Sequence, residues 1–144
     1  MLKRVSGREN RFHKDTDHCI SKALCDTHDN TLLVIESLRG IVSDRDKEKN
    51  SRRELHGWTF YELEQFLRYK AVLSGSMVLK VDPYCTSQRC PVCGKISKDH
   101  RHRDRHMYEC SCGYAGTDDV TAALNIRELG IRWLGGDKEP SYRR

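Results

Sequence analysis

Apolar residues recur at helical spacing in three segments of the chain. The first segment runs from Glu9 to about His28, and the second runs from Trp58 to about Ser74, with Gly75 following as a stop signal. The third extends from Asp118 to about Leu134, with Thr117 as its N-cap. The first helix is predicted to carry a rough apolar stripe formed by Phe12, Ile20, Ala23 and Leu24. The third helix is predicted to have an inward-facing apolar side formed by Val120, Ala123, Leu124, Ile126 and Leu129.

Two short apolar runs predict strands between these helices. Thr31–Glu36 is a continuous β-branched and apolar run, which is typical of a strand buried on both faces. Met77–Val81 is the second run, and Pro83 ends it. Residues 1–8 are predicted to be a basic lead-in, and residues 43–56, which alternate charges, an exposed loop. Strands that alternate with helices predict an α/β fold with a parallel sheet.

Composition adds a weak indication of a nucleic-acid partner. The chain has 26 Lys and Arg against 21 Asp and Glu, which gives a formal net charge of +5 that is spread along the sequence. The length favours a single domain with a modest core. No apolar run approaches the length of a membrane span, so we expect no membrane contact and, without an apolar signal segment, a cytoplasmic location.

Four cysteines in two close pairs give the strongest chemical signal. Cys90 and Cys93 form the first pair, and Cys110 and Cys112 form the second, with sixteen residues between the pairs. Each pair places two thiolates on one turn, and two such turns complete a tetrahedral shell for Zn²⁺. Gly94 and Gly113 follow the pairs, where a turn needs backbone freedom. The alternative is a pair of disulfides, which a reducing compartment disfavours.

The stretch between the two pairs is rich in Arg and His, from Lys98 to His106. Its three histidines are alternative metal ligands, but four thiolates already satisfy the ion. We therefore interpret the stretch as the phosphate-facing tip of a hairpin. Its candidate nucleic-acid contacts are Arg101, Arg103 and Arg105, with Ser87 and Gln88 just before the first pair. Three cysteines remain: Cys19 and Cys25 are predicted to be small buried residues of the first helix, and Cys85 is an alternative ligand to Cys90.

Acidic residues end one predicted strand and begin one predicted helix. Glu36 follows the apolar run, and Asp118 and Asp119 open the last helix. An acid at a strand end is commonly just the first solvated residue, and acids at a helix start are favoured by the helix dipole. Strand and helix geometry alone therefore leaves a structural and a metal-binding explanation open.

Several segments together resemble the TnpB (OrfB) family of insertion-sequence proteins. Residues 17–22 and 33–41 resemble the family's second RuvC motif, and residues 119–126 resemble its third. Trp58-Thr59-Phe60, Tyr69-Lys70-Ala71, Val81-Asp82-Pro83 and Thr86-Ser87-Gln88 match the family in the same order, so that the resemblance runs from about Ser6 to Ile126.

The resemblance implies an RNA-guided DNA endonuclease with an RNase H-like (RuvC) fold. Glu36 and Asp119 would be two of three acids that hold Mg²⁺ ions for phosphodiester hydrolysis. The expected fold is therefore α/β, a partial RuvC domain formed by residues 1–84 and 114–144, with an inserted zinc ribbon at 85–113. The implied partners are DNA, a guide RNA and a chain that supplies the N-terminal half.

Some positions depart from the family pattern. Ser37 stands where the family often has Asp, Asp118 where Arg is common, and Thr121 where Asn is usual. The family's first RuvC acid, on a central strand that neighbours the one carrying Glu36, has no counterpart before Glu36 in this sequence. The expectation is a chain similar to the C-terminal half of a TnpB protein, starting at Met1, with little or no cleavage when isolated. The alternatives are a non-catalytic nucleic-acid-binding module and a relic of a mobile element.

Overall fold

The computed structural model describes residues 2–37 and 60–143 of the chain. Its two long helices before the cysteines are α1 (Leu2–Thr27) and α2 (Phe60–Leu73), and the strands beside them are β1 (Leu32–Glu36) and β2 (Met77–Val81). After a 3-10 turn at Lys98–His100 come β3 (Arg101–His102), β4 (Met107–Glu109), β5 (Ala115–Thr117) and α3 (Asp118–Leu134). The mixed α/β class and all five predicted elements are confirmed. The predicted loop at 43–56, and Trp58 at the predicted start of the second helix, lie outside the described residues.

The chain divides into two compact units. The first unit comprises Met1–Leu33 and Leu38–Val78, and the second comprises Val34–Ser37 and Leu79–Arg144. The first unit has a small core in which Cys25, Leu67 and Ala71 are buried. Polar contacts join its two helices as well, because the Lys70 ammonium donates to the Ser21 hydroxyl and to the His18 carbonyl, both at 2.7 Å.

The predicted apolar stripe of α1 is wrong. Phe12 is 69% exposed, and Ile20 and Leu24 are 43% and 39% exposed, whereas the buried positions are Asp17, Ser21 and Cys25. These three recur at four-residue spacing and so share one face of the helix. Cys25 is buried as predicted, but Cys19 is exposed. The helix also begins at Leu2 rather than near Glu9, since Gly7 alone costs a long helix only about 1 kcal/mol.

Strands β1 and β2 pair in a two-stranded sheet. The Met77 N–H donates to the Thr31 carbonyl at 3.0 Å, and the Ser37 N–H donates to the Val81 carbonyl at 2.8 Å. Because both strands advance in the same direction between these two bonds, the pair is parallel, as predicted. Within the described ranges β1 has no second strand neighbour, and its residues are half-buried rather than fully buried.

The second unit contains an antiparallel sheet of order β3-β4-β5 and helix α3. One core of this unit contains Val81, Leu129 and Tyr142, and Val34 packs against it. Thr117 caps α3 as predicted, since its hydroxyl accepts the Val120 N–H. The predicted inward face is correct at Leu129, which is fully buried, and wrong at Val120, which is 54% exposed. No helix among the described residues is both long enough and apolar enough to cross a membrane.

Candidate metal centre and acidic residues

The four paired cysteines converge on one point. Their Sγ atoms all lie within 4.8 Å of one another, with Cys90 3.6 Å from Cys112 and Cys93 3.6 Å from Cys110. These separations are far longer than the ~2.05 Å of a disulfide bond. They match the edges of a sulfur tetrahedron around an ion with Zn–S bonds of about 2.3 Å. The donor set and the spacing therefore fit a metal ion such as zinc.

Two tight turns of similar design hold the four thiols. In the first, the Gly94 N–H donates to the Cys90 carbonyl, and in the second the Gly113 N–H donates to the Cys110 carbonyl. Both glycines have positive φ, 75° and 93°, a conformation that strains residues with a side chain. A hydrogen bond from the Cys112 backbone N–H lowers the pKa of the Cys110 thiol, whereas, despite a hydrogen bond from the Tyr114 backbone, the pKa of the Cys112 thiol is raised by burial and by the neighbouring thiols.

Tyr108 packs against this group of cysteines. Its side chain is fully buried and packs with Cys90 and Cys110. The pKa of its hydroxyl is raised, mainly by burial and to a smaller extent by the negative charge of the nearby thiolates. The hydroxyl donates to the Gln88 carbonyl at 3.3 Å and lies 3.2 Å from the His100 ring. The histidines between the pairs lie outside the four-cysteine group. His100 contacts Tyr108, and the His102 ring is 3.5 Å from Glu109.

Asp118, one of the two acids at the start of α3, is tied to the hairpin. Its side chain is 2% exposed, and Oδ2 accepts two Arg101 guanidinium contacts at 2.8 and 2.9 Å. These hydrogen bonds lower the pKa of the Asp118 carboxyl. Its Oδ1 is buried with no hydrogen-bond partner, and the His106 ring nitrogen is 3.8 Å away. The second negative charge beside Asp119 is therefore neutralised by Arg101.

Asp119 is exposed at the first turn of α3. It lines an open pocket of about 440 Å³ together with Asp118 and with the hairpin residues Arg101, Arg103 and His106. The helix dipole at this position stabilises a carboxylate. Asp119 is thus open to solvent, and basic side chains of the kind that attract a phosphate lie around it.

Glu36 lies half-buried at the end of β1. The Thr86 hydroxyl donates a short hydrogen bond to its Oε1. Among the described residues, the four cysteines are the one group of three or more metal-ligand side chains that lie together. Glu36 and Asp119 each carry the hard oxygen donors that Mg²⁺ prefers.

The predicted nucleic-acid contacts differ in their surroundings. Arg103 and Arg105 are exposed on the hairpin tip, where Arg105 lies 3.6 Å from Asp104. Arg101 instead pairs with Asp118 and donates to the Ser87 hydroxyl at 3.2 Å. The backbone carbonyl of Gln88 accepts the Ser97 N–H.

A buried polar cluster beside Glu36 has no counterpart among the predicted site residues. Asn125 is fully buried and donates to the carbonyls of Thr86 and Arg89, both at 2.8 Å, while its Oδ1 accepts from Arg89. The Tyr142 hydroxyl donates to the Asn125 carbonyl, and burial raises its pKa to about 12. A polar Asn inside an otherwise apolar helical face was the sequence signal that could have revealed this cluster.

The fold and the site define an α/β protein with a four-cysteine cluster, suited to a metal ion, that precedes an acid-bearing helix. The family described as Cas12f1-like, TNB domain, matches residues 60–126. The chain is similar to proteins of the TnpB family, as the resemblance in the sequence predicted.

Curated relatives carry matching names. The chain is 44% identical over 120 residues to the CRISPR-associated endodeoxyribonuclease Cas12f1 of Sulfoacidibacillus thermotolerans, covering 80% of this chain and 26% of that protein. It is 35% identical to a TnpB-like protein of Methanocaldococcus jannaschii, covering 88% and 46%, respectively. It is 32% identical to the putative RNA-guided DNA endonuclease InsQ of Escherichia coli, covering 83% and 32%. The chain thus spans between about a quarter and a half of the length of these relatives.

A solved structure has the same fold. The cryo-EM structure of a Cas12f1–sgRNA–target DNA complex superposes with a TM-score of 0.67 and 24% identity. The match covers 87% of this chain and 36% of that chain. The mixed α/β arrangement therefore occurs within a larger nuclease polypeptide.

Proposed function

We propose that this chain is the C-terminal part of an RNA-guided DNA endonuclease of the TnpB type. The observation that carries the proposal is the position of Asp119, which lies in the first turn of helix α3, shortly after the four-cysteine cluster in the chain, and lines an open pocket with Arg103. The named activity of the InsQ relative supports the same class. In this proposal residues 1–84 and 114–144 form part of a RuvC domain, and residues 85–113 form its zinc ribbon.

The metal ion of the ribbon has a structural role in this proposal. Four thiolates fill a tetrahedral shell and leave no position for water or substrate, which distinguishes a structural zinc site from a catalytic one. The shell fixes the turn at Cys90–Cys93 relative to the turn at Cys110–Cys112. The hairpin between these turns is then held beside the start of α3.

Glu36 and Asp119 are the proposed ligands of catalytic Mg²⁺. The bound ions would activate a water molecule and stabilise the leaving oxygen. The chain's own residues position the substrate: Arg103 brings positive charge to the pocket that Asp119 lines, and Arg101 keeps Asp118 from adding a second free negative charge there. DNA is the proposed substrate, and a guide RNA is the proposed second partner.

A complementation assay tests the proposal. The zinc-loaded chain alone, with Mg²⁺ and either single- or double-stranded DNA, is expected to show no cleavage, because the family's third acid is absent from it. Adding the N-terminal portion of a TnpB relative with its guide RNA is expected to produce Mg²⁺-dependent cleavage. Glu36→Ala and Asp119→Ala are expected to abolish that cleavage. Cleavage that survives both substitutions would contradict the assignment of the acids.

A non-catalytic nucleic-acid-binding module is the second candidate function. The exposed arginines at the hairpin tip, Arg103 and Arg105, favour it. Tight, sequence-indifferent binding by the chain alone, without cleavage after complementation, would select this function. Neither binding nor complemented cleavage would indicate a relic of a mobile element.

A further inference from the structure

We propose that Thr86 is a positioning residue for Glu36 and that helix α3 holds it in place through Asn125. The inference rests on the proposed role of Glu36 as a metal ligand. Thr86 lies in the turn before the first cysteine pair and is 3% exposed. Its hydroxyl carries one proton, and two acceptors are in reach: Glu36 Oε1 and, at 3.1 Å, the Pro83 carbonyl.

The carboxylate is the stronger acceptor of the two, because hydrogen bonds to an ionised group are roughly twice as strong as neutral ones. A glutamate side chain has three rotatable bonds, so that a fixed donor at Oε1 restricts where its second oxygen points. In this arrangement the second carboxylate oxygen of Glu36, Oε2, is held in one orientation and is the atom that would bind a cation.

The backbone of Thr86 is itself fixed from α3. The Asn125 side chain donates to the Thr86 carbonyl at 2.8 Å, and it is fully buried. The Asn125 amide nitrogen also donates to the Arg89 carbonyl, and its oxygen accepts from the Arg89 guanidinium, so that three of the four hydrogen-bonding positions of the side chain are used. The Tyr142 hydroxyl anchors the Asn125 carbonyl. Asp119 and Asn125 lie on the same helix. One rigid element therefore carries one proposed metal ligand directly and supports the other through Asn125 and Thr86.

The first measurement is the side-chain conformation of Glu36 in the zinc-loaded chain, read from three-bond NMR couplings without added Mg²⁺. The wild-type chain is expected to show a single rotamer. Thr86→Val removes the hydroxyl at nearly constant volume and is expected to produce rotamer averaging. Thr86→Ser keeps the hydroxyl and is expected to restore the single rotamer. Thr121→Val is the matched control, since Thr121 is also a buried threonine but donates to the Thr117 carbonyl.

A titration with Mn²⁺, monitored by electron paramagnetic resonance, gives the second measurement. Glu36→Ala defines the part of the binding that depends on Glu36. Thr86→Val is expected to weaken that part about tenfold, the equivalent of one hydrogen bond to a charged group, and Thr86→Ser about twofold at most. Zinc content and the melting temperature of each variant establish that the fold is retained.

The outcomes separate this inference from the proposed function. A single Glu36 rotamer in Thr86→Val overturns the inference, whatever the metal affinity. Rotamer averaging in Thr86→Val, without Glu36-dependent Mn²⁺ binding in the wild-type chain, supports the positioning contact and contradicts the metal-binding role of Glu36. Rotamer averaging together with weakened Mn²⁺ binding supports both.

Discussion

The two adjacent aspartates at the start of α3 have different roles. Asp118 is buried and paired with Arg101, whereas Asp119 is exposed and lines a pocket. Helix geometry alone leaves the two carboxylates equivalent, since both lie in the first helical turn, and the family resemblance favours Asp119. The structure separates them by their surroundings, because Asp118 is buried against the hairpin and Asp119 is open to solvent.

Removing Arg101 is expected to destabilise the chain strongly. Arg101→Met would leave the Asp118 carboxylate buried without its cation, and the expected loss in the free energy of unfolding is about 3 kcal/mol. Arg103→Met, in the same hairpin but exposed, should change it by no more than about 0.5 kcal/mol. Urea unfolding of the zinc-loaded variants measures both. Equal losses for the two variants would show that the pair with Asp118 contributes nothing particular to stability.

The proposed zinc site is formed by the two turns that carry the four thiols. Its ligand set is predicted to include Cys93 and to exclude Cys85, which lies in the preceding turn with a φ of 59°. Cys93→Ser is expected to reduce bound zinc from one ion per chain to none at micromolar metal, because one of four thiolates is lost. Cys85→Ser should retain the ion. Mass spectrometry of the native protein measures the stoichiometry, and zinc loss in Cys85→Ser would revise the ligand set.

Helix α3 approaches β1 closely at a glycine. A Cβ atom on Gly130 would lie 2.4 Å from a methyl group of Val34, too near for any side chain. Gly130→Ala is therefore expected to cost about 1–3 kcal/mol of stability despite the better helix propensity of alanine. Gly7→Ala, in open space on α1, should instead stabilise the chain by about 0.5–1 kcal/mol. Thermal melting of the two variants tests the contrast, and a stable Gly130→Ala would mean that Val34 can move aside.

At the scale of the complete chain, the net charge of +5 predicts that the proposed binding to nucleic acid is sensitive to salt. Binding measured by fluorescence anisotropy should weaken steadily as salt rises. If the hairpin tip contacts phosphate, Arg103→Gln should lower the slope of log affinity against log salt by about one. Lys22→Gln removes the same charge from α1 and should leave the slope unchanged. Equal effects of both variants would indicate attraction by net charge alone.

Much of this organisation could be predicted from the sequence because it depends on local chemistry. Helical and strand periodicity located all five predicted elements, the spacing of the cysteines identified Cys90, Cys93, Cys110 and Cys112 as one group, and Thr117 was recognised as a cap. The helices, the strands and the cap arise within a few neighbouring residues, and each cysteine pair is a local motif whose chemistry calls for a second pair. The combination of motifs also identified the TnpB family.

Other features depend on residues that are distant in the chain, so that no local pattern could reveal them. The buried face of α1 is formed by Asp17, Ser21 and Cys25 instead of the predicted apolar residues. A polar face can be buried there because Lys70 of helix α2 donates a hydrogen bond to the Ser21 hydroxyl. Asp118 is neutralised by a residue seventeen positions earlier, and the Thr86 hydroxyl reaches back fifty positions to Glu36. Periodicity and composition give the elements and the chemistry of their residues. Which carboxylate stays free, which is paired and which is held in one orientation is set by long-range contacts that exist only in the folded chain.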